Sequence, residues 1–471
     1  MTTPEATPGP IVPEVPLARG AWPIVRPVHR LRPWILGLVY WAALAPLTVA
    51  PKHSGNVLSR YMTIEAIVER GTQAIERSPI LARSGSPDVA RFGLHSYSDK
   101  PPVLPAIASP LYAILYLSGV RFAGPGPQFV VANFAMTWGV VGLASALTLV
   151  WLRRMLQAVP IGRWAADVLT LAFGFGSQLL TYAVTFNNHS VAAGMIAGAL
   201  ALTVLERPGR GVGRSRFAAG LLAALAATID LPAGCLMLGA LGIVQMIRAR
   251  SVPWAFLAGS AGPILLHAWL QSMVTGSPLP VEMYPRAFQY PGSYWASPEG
   301  IWREDGPRFW FGIELLVGPQ GWLTVTPALI FGLIGIGLAI SRPDDPLRPA
   351  AWAVGGSVVA LVAYYTWGVR RLDFAGSSFG TRHLLPLTPA VFAFAAVALG
   401  RIRGWATPLA FALLMGVGAV YAVAGVKDPW SRIEHRRRDE PTLRALGRFV
   451  LYPYSRIRGN PPPARPRGDL R

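Results

Sequence analysis

Cysteine, lysine and charge in general are scarce in this chain of 471 residues. The single cysteine, Cys235, excludes an internal disulfide. Only three of the 43 basic residues are lysines, at Lys52, Lys100 and Lys427. Charged residues make up 14% of the chain and hydrophobic residues 52%, and no Gly-rich phosphate loop follows a strand. This composition excludes a soluble nucleotide-sugar domain and indicates a protein that crosses a membrane several times.

Apolar runs of about 20 residues recur along most of the chain, and each can cross a bilayer core of about 30 Å. Arginines lie in the short segments between these runs, so the net charge of +20 follows the positive-inside rule and does not indicate nucleic-acid binding. We therefore predict an all-α polytopic fold with about 11 transmembrane helices. The predicted spans are residues 33–50, 128–152, 163–183, 189–205, 215–229, 232–248, 253–272, 321–340, 349–369, 381–400 and 405–425.

The apolar segment 102–120 is predicted not to cross the membrane, although it resembles a span. If it crossed, five loops that carry arginines, beginning with Arg153 and Arg154 and ending with Arg401 and Arg403, would lie outside. If it lies in or re-enters the outer interface, all five loops lie inside, as the positive-inside rule requires. The same rule places the N-terminus inside. The three arginines at 436–438 oppose the outside C-terminal tail that follows from this count.

Three regions follow from this topology. Residues 1–30 are rich in proline and lack packing periodicity, which predicts a disordered cytoplasmic tail. Residues 31–425 form the transmembrane domain, with a first extracytoplasmic loop at 51–127 and a long, aromatic-rich outer loop at 273–320. Residues 426–471 form an extracytoplasmic tail. No small-residue cleavage site follows the first apolar run, so we expect it to stay as an anchor.

The segment Tyr97–Pro102, YSDKPP, places an acid and a lysine at the start of an apolar stretch. A lysine meets a phosphate as a point charge, and a carboxylate can take a proton, so the pair suits a lipid-linked phosphate at the membrane edge. The alternative is a plain helix start, with Ser98 or Asp99 as N-cap and the prolines in the first turn.

Polar residues that lack a simple structural role collect on the predicted outer side. Ionisable groups near membrane depth are costly unless they are paired or functional, so their accumulation on one face suggests a site. The segment 59–71 has the pattern of an amphipathic helix that lies on the membrane with its charged face over the headgroups. Asp230 and Glu282 also lie on this side, without an assigned role. The candidate site residues are Arg60, Glu65, Asp88, His95, Asp99, Lys100, His189, Tyr284, Arg382 and His383.

No His/Cys/Asp group in the sequence has the spacing of metal ligands, so no cofactor is expected, and a need for a divalent cation stays open. His267 falls inside a predicted span and is interpreted as a core histidine. Aromatic residues of the loop 273–320 are expected to form an interfacial belt, and one or two can line a glycan site.

The order of these segments resembles the GT-C class of membrane glycosyltransferases, in particular bacterial enzymes related to protein mannosyltransferases and lipid A aminoarabinose transferase. Asp99–Pro102 matches the E/D-K-P-P element of that class, and Arg60–Tyr61 matches its R-Y helix. A group of uncharacterised high-GC bacterial membrane proteins shares four further motifs. They are H-x-Y-S-D-K-x-P at 95–102, N-H-x-x-A-A at 188–193, G-P-x-G at 318–321 and G-x-R-H-L-L-P at 380–386. The match covers most of residues 30–425.

The resemblance implies sugar transfer from a polyprenyl-phosphate donor to an extracytoplasmic glycan, lipid or protein at the inner (plasma) membrane. Lys100, helped by Arg60 or Arg382, would neutralise the donor phosphate. Asp88, Asp99 or, third, Glu65 would deprotonate the acceptor hydroxyl. A nearby lysine is expected to lower the pKa of Asp99, which favours Asp88. His95, His189, His383 and Tyr284 would bind or orient the substrates.

One departure from the GT-C pattern bears on catalysis. Many members carry an acid about three residues before the R-Y pair, where this chain has Asn56, Val57, Leu58 and Ser59. This absence favours a rival hypothesis, a non-catalytic binder or translocator of polyprenyl-linked sugars. A third hypothesis, an ion-coupled transporter, predicts mid-span carboxylates and two related halves, whereas the sequence has no internal repeat and its charges lie at the edges.

Overall fold

The computed structural model describes residues 31–430, apart from 53, 85–87, 207–208, 210, 294, 297–306 and 370–377. The predicted tail at 1–30 and most of the predicted tail at 426–471 lie outside the described residues. The described chain is helical except for one short β-hairpin. The predicted helical, multi-pass membrane fold is confirmed, whereas the number of eleven crossings stays a prediction.

The first half of the chain contains nine helices and the hairpin among its described residues. A π-helical segment, Thr137–Gly142, joins α5 to α6 without a break. The elements are α1 (Arg32–Thr48), α2 (Gly55–Arg70), α3 (Pro79–Ser84), β1 (Val89–Phe92), β2 (His95–Ser98), α4 (Val103–Leu117), α5 (Gln128–Met136), α6 (Leu143–Met155), α7 (Arg163–Gly176), α8 (Gln178–Ala183) and α9 (Asn188–Val204).

The second half is helical throughout its described part. A π-helical turn at Tyr364–Gly368 extends α16, and a 3-10 segment at Arg382–Leu387 leads into α17. The helices are α10 (Val212–Ile229), α11 (Leu231–Ala249), α12 (Trp254–Thr275), α13 (Arg308–Val317), α14 (Trp322–Val325), α15 (Leu329–Ile340), α16 (Arg348–Ala363), α17 (Thr388–Ala393), α18 (Ala395–Arg401) and α19 (Ala406–Lys427).

Two predicted spans are broken helices. The predicted span 163–183 is divided at Ser177, whose extended backbone ends α7 and whose side chain caps α8 through the Leu179 amide. The predicted span 321–340 bends by 102° between the segment ending at Val325 and α15. Within the described residues, six helices are long and apolar enough to cross a membrane, or seven if this bent pair is one span.

Helix α9 runs through the centre of the bundle and separates two charged ends. Fifteen of its 17 residues are buried. Beyond its C-terminus, Glu206 pairs with Arg216 at 2.8 Å, and Arg248 donates to the carbonyl of Thr203. Its N-terminus carries Asn188 and His189. At about 1.5 Å of rise per residue, the two ends lie roughly 25 Å apart. We call them the arginine end and the site end.

The chain between α1 and α5 stays at the site end. Asp167, at the start of α7, binds both Arg32 at the start of α1 and Arg153 at the end of α6, with 2.5 Å between its Oδ1 and Nε of Arg153. Helix α1 therefore leaves the arginine end, and α5 and α6 return to it. Helix α4 lies between these crossings, which supports the prediction that it does not cross. At about 1.5 Å per residue its 15 residues span roughly 23 Å, short of a bilayer core of about 30 Å.

The first loop contains a two-stranded antiparallel hairpin that the all-α prediction missed. Strands β1 and β2 pair Val89 with Ser98 and Phe92 with His95. The two-residue turn has Gly93 at φ 60°, the geometry that a Gly-first hairpin turn requires. Asp88 immediately precedes β1, and Asp99 immediately follows β2. Pairing of the strands therefore brings two carboxylates that are 11 residues apart in sequence to the same end of the hairpin.

Candidate active site

The base of the hairpin holds a lysine between two carboxylates. Nζ of Lys100 lies 3.2 Å from Oδ1 of Asp88 and 3.0 Å from Oδ1 of Asp99. The backbone is fixed as well, because Ser59 on α2 donates to the carbonyl of Asp88 at 2.8 Å and contacts the Ser98 hydroxyl at 2.5 Å. The plain helix-start interpretation is wrong, since α4 begins at Val103 without a side-chain cap.

Burial shapes the charges of this cluster. Asp88 and Asp99 are 7% and 6% exposed. Burial raises the pKa of Asp99 to about 6 even though Lys100 lowers it, and the negative charge of Asp88 adds to the rise. Lys100 acts in the expected direction, but the expectation that the pKa of Asp99 is lowered overall is wrong. Burial alone would lower the pKa of Lys100, but Asp88 and Asp99 hold it above its ordinary value.

A small cavity of about 10 Å³ lies against this lysine, which is room for about one water molecule. Gln271 lines the cavity, and both polar atoms of its buried amide lack a hydrogen-bond partner within the part of the chain that the structure describes. The remaining lining residues lie on or next to α2, the hairpin and the C-terminal part of α12: Thr63, Gln73, Tyr97, Ser98, Pro102, Val274 and Val281.

Helix α2 turns Arg60 and Glu65 inward, so the prediction that its charged face looks out over the headgroups is wrong. Arg60 and Glu65 are each 2% exposed. The guanidinium of Arg60 donates to the side chain of Asn56 and, at 2.6 Å, to Oδ1 of Asn188 on α9. Burial lowers the pKa of Arg60 to about 10, which leaves it charged at neutral pH. Asn56, where GT-C enzymes often have an acid, holds this arginine.

A second polar cluster begins where Arg60 meets α9. Nδ2 of Asn188 donates to Oδ2 of Asp230 at 3.1 Å, and Nδ1 of His189 lies 2.5 Å from the same oxygen. Asp230 lies between α10 and α11, where its backbone ends the first helix. Its carboxylate is 3% exposed. The rings of His189 and His383 are 5.7 Å apart, and His383 stacks on Tyr365 at 4.5 Å.

Arg382 and His383 follow the left-handed Gly380, at the start of the 3-10 segment. The guanidinium of Arg382 lies 5.0 Å over the ring of Trp430. Nε of Arg382 and Nδ1 of His383 are buried and have no hydrogen-bond partner among the described residues.

Glu282 brings a third carboxylate near Lys100 from the loop after α12. Its residue is exposed, yet protein surrounds the carboxyl closely enough for the loss of water to raise its pKa to about 7. The charge of Asp99 adds to this rise, and Lys100 and Arg60 oppose it. The loop is fixed to the hairpin by the Tyr290 hydroxyl, which donates to the carbonyl of Val89 at 3.1 Å.

Three predicted site residues lie away from these clusters. Glu65 points to the other side of α2, where it pairs with Arg70 at 2.5 Å. His95 lies on the solvent side of β2 and contacts Glu76 at 2.8 Å. Tyr284 packs edge-on against Phe92, with ring centroids 5.5 Å apart. The predicted residues that the structure brings to the site end are Arg60, Asp88, Asp99, Lys100, His189, Arg382 and His383.

No group of three His, Cys, Asp or Glu side chains within the described residues has the arrangement of a metal site. His267 is 8% exposed on α12, in agreement with its interpretation as a core histidine.

The fold and the site end together define a polytopic helical protein with a lysine between two buried carboxylates and a buried arginine beside them. Comparisons with family models and with curated proteins find no match. ArnT from Cupriavidus metallidurans bound to undecaprenyl phosphate superposes with a TM-score of 0.50 at 16% identity, over 91% of this chain and 77% of that chain. ArnT is a lipid A aminoarabinose transferase of the GT-C class. The chain has the fold of GT-C membrane glycosyltransferases.

Two further solved structures are similar at lower scores. ArnT from Cupriavidus metallidurans in the apo state has a TM-score of 0.44 at 16% identity, over 85% of this chain and 64% of that chain. The oligosaccharyltransferase of Archaeoglobus fulgidus in complex with zinc and sulfate has a TM-score of 0.44 at 13% identity, over 92% of this chain and 59% of that chain. The chain therefore spans less than two thirds of the length of either structure.

Proposed function

We propose that this protein is a glycosyltransferase that moves a sugar from a polyprenyl-phosphate donor to a glycan, lipid or protein acceptor. The observation that carries the proposal is the position of Lys100, held between the buried carboxylates of Asp88 and Asp99 in a GT-C fold. A cation held in that position suits the phosphate of a lipid-linked donor, as point charge and as stabiliser of the leaving group. The proposed location is the extracytoplasmic side of the plasma membrane.

Arg60 and Arg382 are the proposed partners of Lys100. Arg60 remains charged although buried, and its guanidinium is anchored by two asparagine side chains. Arg382 has one buried nitrogen without a hydrogen-bond partner in the described part of the chain. Both carboxylates beside Lys100 hold the lysine in place. If either carboxylate rotated towards an acceptor, it would leave part of the lysine charge unneutralised. We therefore assign Asp88 and Asp99 first to positioning the lysine, with Asp99 the better of the two as a proton acceptor because its pKa is raised to about 6.

A non-catalytic binder or translocator of the same lipid is the second candidate. Asn56 favours it, because the position that carries an acid in many GT-C enzymes here has an amide that binds Arg60. Such a protein would need the cationic site and no proton acceptor.

The test is transfer of label from radiolabelled polyprenyl-phosphate sugars by the purified protein in the presence of membrane extract. We expect Lys100→Ala to lose donor binding and at least 100-fold in transfer, since it removes the main phosphate charge. Lys427→Ala, at the exposed end of α19, is the control. Lys100→Arg keeps the charge and shows whether the fold tolerates the position.

Full transfer by Lys100→Ala would contradict the proposal. Donor binding that depends on Lys100, with no sugar moved by the wild-type protein from any donor, would favour the binder or translocator.

A further inference from the structure

The second cluster, Asn188, His189, Asp230 and His383, has the geometry of a proton-accepting histidine. An ionised carboxylate only accepts hydrogen bonds, so the 2.5 Å contact with Oδ2 of Asp230 places the proton of His189 on Nδ1. Nε2 then carries the lone pair. It makes no hydrogen bond within the described part of the chain. The Asp230 carboxylate thus fixes both the tautomer and the orientation of the ring.

The cluster is built rigidly. Asn187 caps α9 by accepting a hydrogen bond from the Ser190 amide at 2.9 Å, which fixes the first turn that carries His189. Oδ2 of Asp230 has a second contact, with Nδ2 of Asn188 at 3.1 Å. Because His189 and Asp230 are both buried, their alignment is set by packing and by these bonds.

Arg60 connects this cluster to Lys100. One side of its guanidinium binds Asn188 at 2.6 Å, and its charge interacts with Asp88 and Asp99 as well as with Asp230. A sugar whose phosphate lies on Lys100 and Arg60 is therefore held on the side of the site that faces α9. Both carboxylates beside Lys100 are paired with its ammonium group, whereas the lone pair on Nε2 of His189 is available to accept a proton.

We propose that His189, positioned by Asp230, accepts the proton of the acceptor hydroxyl. The inference rests on the proposed transferase function. The acceptor oxygen forms a bond to the anomeric carbon of the sugar while the bond from that carbon to the phosphate oxygen breaks. The electron pair of the broken bond stays on the phosphate, beside Lys100, and the acceptor proton passes to Nε2 of His189. Asp230 then stabilises the imidazolium, which later returns the proton to water.

The surroundings of His189 contribute charges from several elements. Asp230 comes from the junction of α10 and α11, and it favours the protonated ring. Arg60 on α2 and Arg382 on the 3-10 segment carry positive charges near the ring, and His383 approaches it from the same segment. Tyr365 stacks on His383. Among the described residues, the Asp230 carboxylate is the anionic group that contacts the ring and can stabilise the product of proton transfer.

Two substitutions of one residue separate proton transfer from folding. In His189→Asn, the side-chain amide nitrogen replaces Nδ1 and keeps the hydrogen bond to Asp230, but no atom replaces Nε2. His189→Gln loses both functions. His267→Gln, which removes a buried histidine from outside the cluster, is the matched control. Donor binding, single-turnover transfer and thermal unfolding are measured for each protein.

We expect His189→Asn to bind the donor within about threefold of wild type and to lose about 100-fold to 10,000-fold in transfer, the range of general base catalysis. His267→Gln should transfer normally. In Asp230→Asn the transfer rate should fall, and the acidic limb of its pH profile should move to lower pH, because the anion that favours the imidazolium is gone. A purely structural role for Asp230 would lower the rate without moving that limb.

If the wild-type protein transfers sugar and His189→Asn transfers it at the same rate, this inference is overturned and the proposed function stands. An unmoved acidic limb in Asp230→Asn would overturn the role of Asp230. Loss of that limb in Glu282→Gln would assign the proton to Glu282 instead. If the wild-type protein transfers no sugar, the proposed function and this inference both fail.

Discussion

Asp99 shows how burial and a neighbouring charge compete at a single carboxyl. Lys100 lies 3.0 Å from it and favours its ionised form. Loss of water and the nearby charge of Asp88 nevertheless raise its pKa to about 6. Sequence adjacency reveals the lysine but not the burial or the second carboxylate. The sign of the shift therefore depends on the hairpin that brings Asp88 to the same place.

Glu282 gives donor binding a predicted pH dependence. Its pKa of about 7 means that the carboxyl is largely neutral at pH 6 and ionised at pH 8. The added negative charge near Lys100 and Arg60 opposes an anionic phosphate, and a sugar phosphodiester does not itself titrate in this range. We expect the affinity for a polyprenyl-phosphate sugar to fall about fivefold from pH 6 to pH 8 because of one like charge in a partly solvated site.

The check is the dissociation constant of that donor at both pH values. Glu282→Gln should reduce the pH dependence, because its side chain stays neutral, and the remaining dependence belongs to Asp99, whose pKa is about 6. Glu314→Gln, which changes an exposed glutamate on α13, should behave like wild type. Equal slopes for wild type and Glu282→Gln would show that Glu282 does not act on the phosphate site.

The candidate residues that the sequence revealed are those carried by compact motifs. Lys100 and Asp99 are adjacent, and His383 follows Arg382, so each pair is visible in the chain. Asp230 becomes a partner of His189 only because α10 and α11 meet beside the start of α9, 41 residues away. Its one sequence signal is a carboxylate between two apolar runs, which is costly at a membrane unless it is paired.

At the scale of elements, apolar length predicted the helices well and their interruptions poorly. The hairpin carried a local signal, because Gly93 precedes Leu94 between two short segments and a Gly-first pair favours a tight hairpin turn. Segment 59–71 is helical as predicted, but its amphipathic pattern was assigned to the wrong environment. Its charged face meets α9 instead of water, since Arg60 finds Asn188 there. Pattern alone does not say what covers a polar face.

Helices α10 and α12 approach each other through glycines. A Cβ on Gly220 would lie 2.0 Å from the carbonyl oxygen of Phe256, and one on Gly259 would lie 2.0 Å from that of Phe217. Small residues at such crossings let two backbones come close inside a membrane. The carbonyl oxygens belong to helical backbone, so they cannot move aside at low cost.

We expect Gly259→Val to lower the free energy of unfolding by about 3 kcal/mol, as overpacking of a closely fitted contact does. Gly262→Val, on the same helix, is the control, because a Cβ at Gly262 would meet nothing within 4 Å. Both substitutions carry the same change in helix propensity, so their difference reports the contact. The measurement is unfolding of the purified protein by a denaturing detergent, and similar stabilities for the two variants would contradict the close approach.

At the scale of the whole molecule, the described chain begins and ends at opposite charged ends of the bundle. The described chain starts at the arginine end, where Arg32 pairs with Asp167. It ends at the site end, where the indole of Trp430 donates to the Thr185 hydroxyl at 2.8 Å. A chain that begins at one end of the bundle and finishes at the opposite end crosses an odd number of times, which is consistent with the predicted eleven crossings. The sequence predicted the same parity from arginines in loops, and the three arginines at 436–438 are the main signal against it.

Cysteine labelling tests the orientation that this parity implies. In a Cys235→Ser background, Leu94→Cys places a thiol at the hairpin turn of the site end, where Leu94 is 97% exposed. Ser341→Cys places one after α15, near the ion pair of Arg401 and Asp345 at the arginine end. Because arginine-rich loops stay on the cytoplasmic side, a membrane-impermeant maleimide should label the Leu94 variant in intact cells and the Ser341 variant only after permeabilisation. Labelling in the reverse order would invert the orientation and place the sugar donor in the cytoplasmic leaflet. Labelling of both variants in intact cells would show that the two ends do not lie on opposite sides of the membrane.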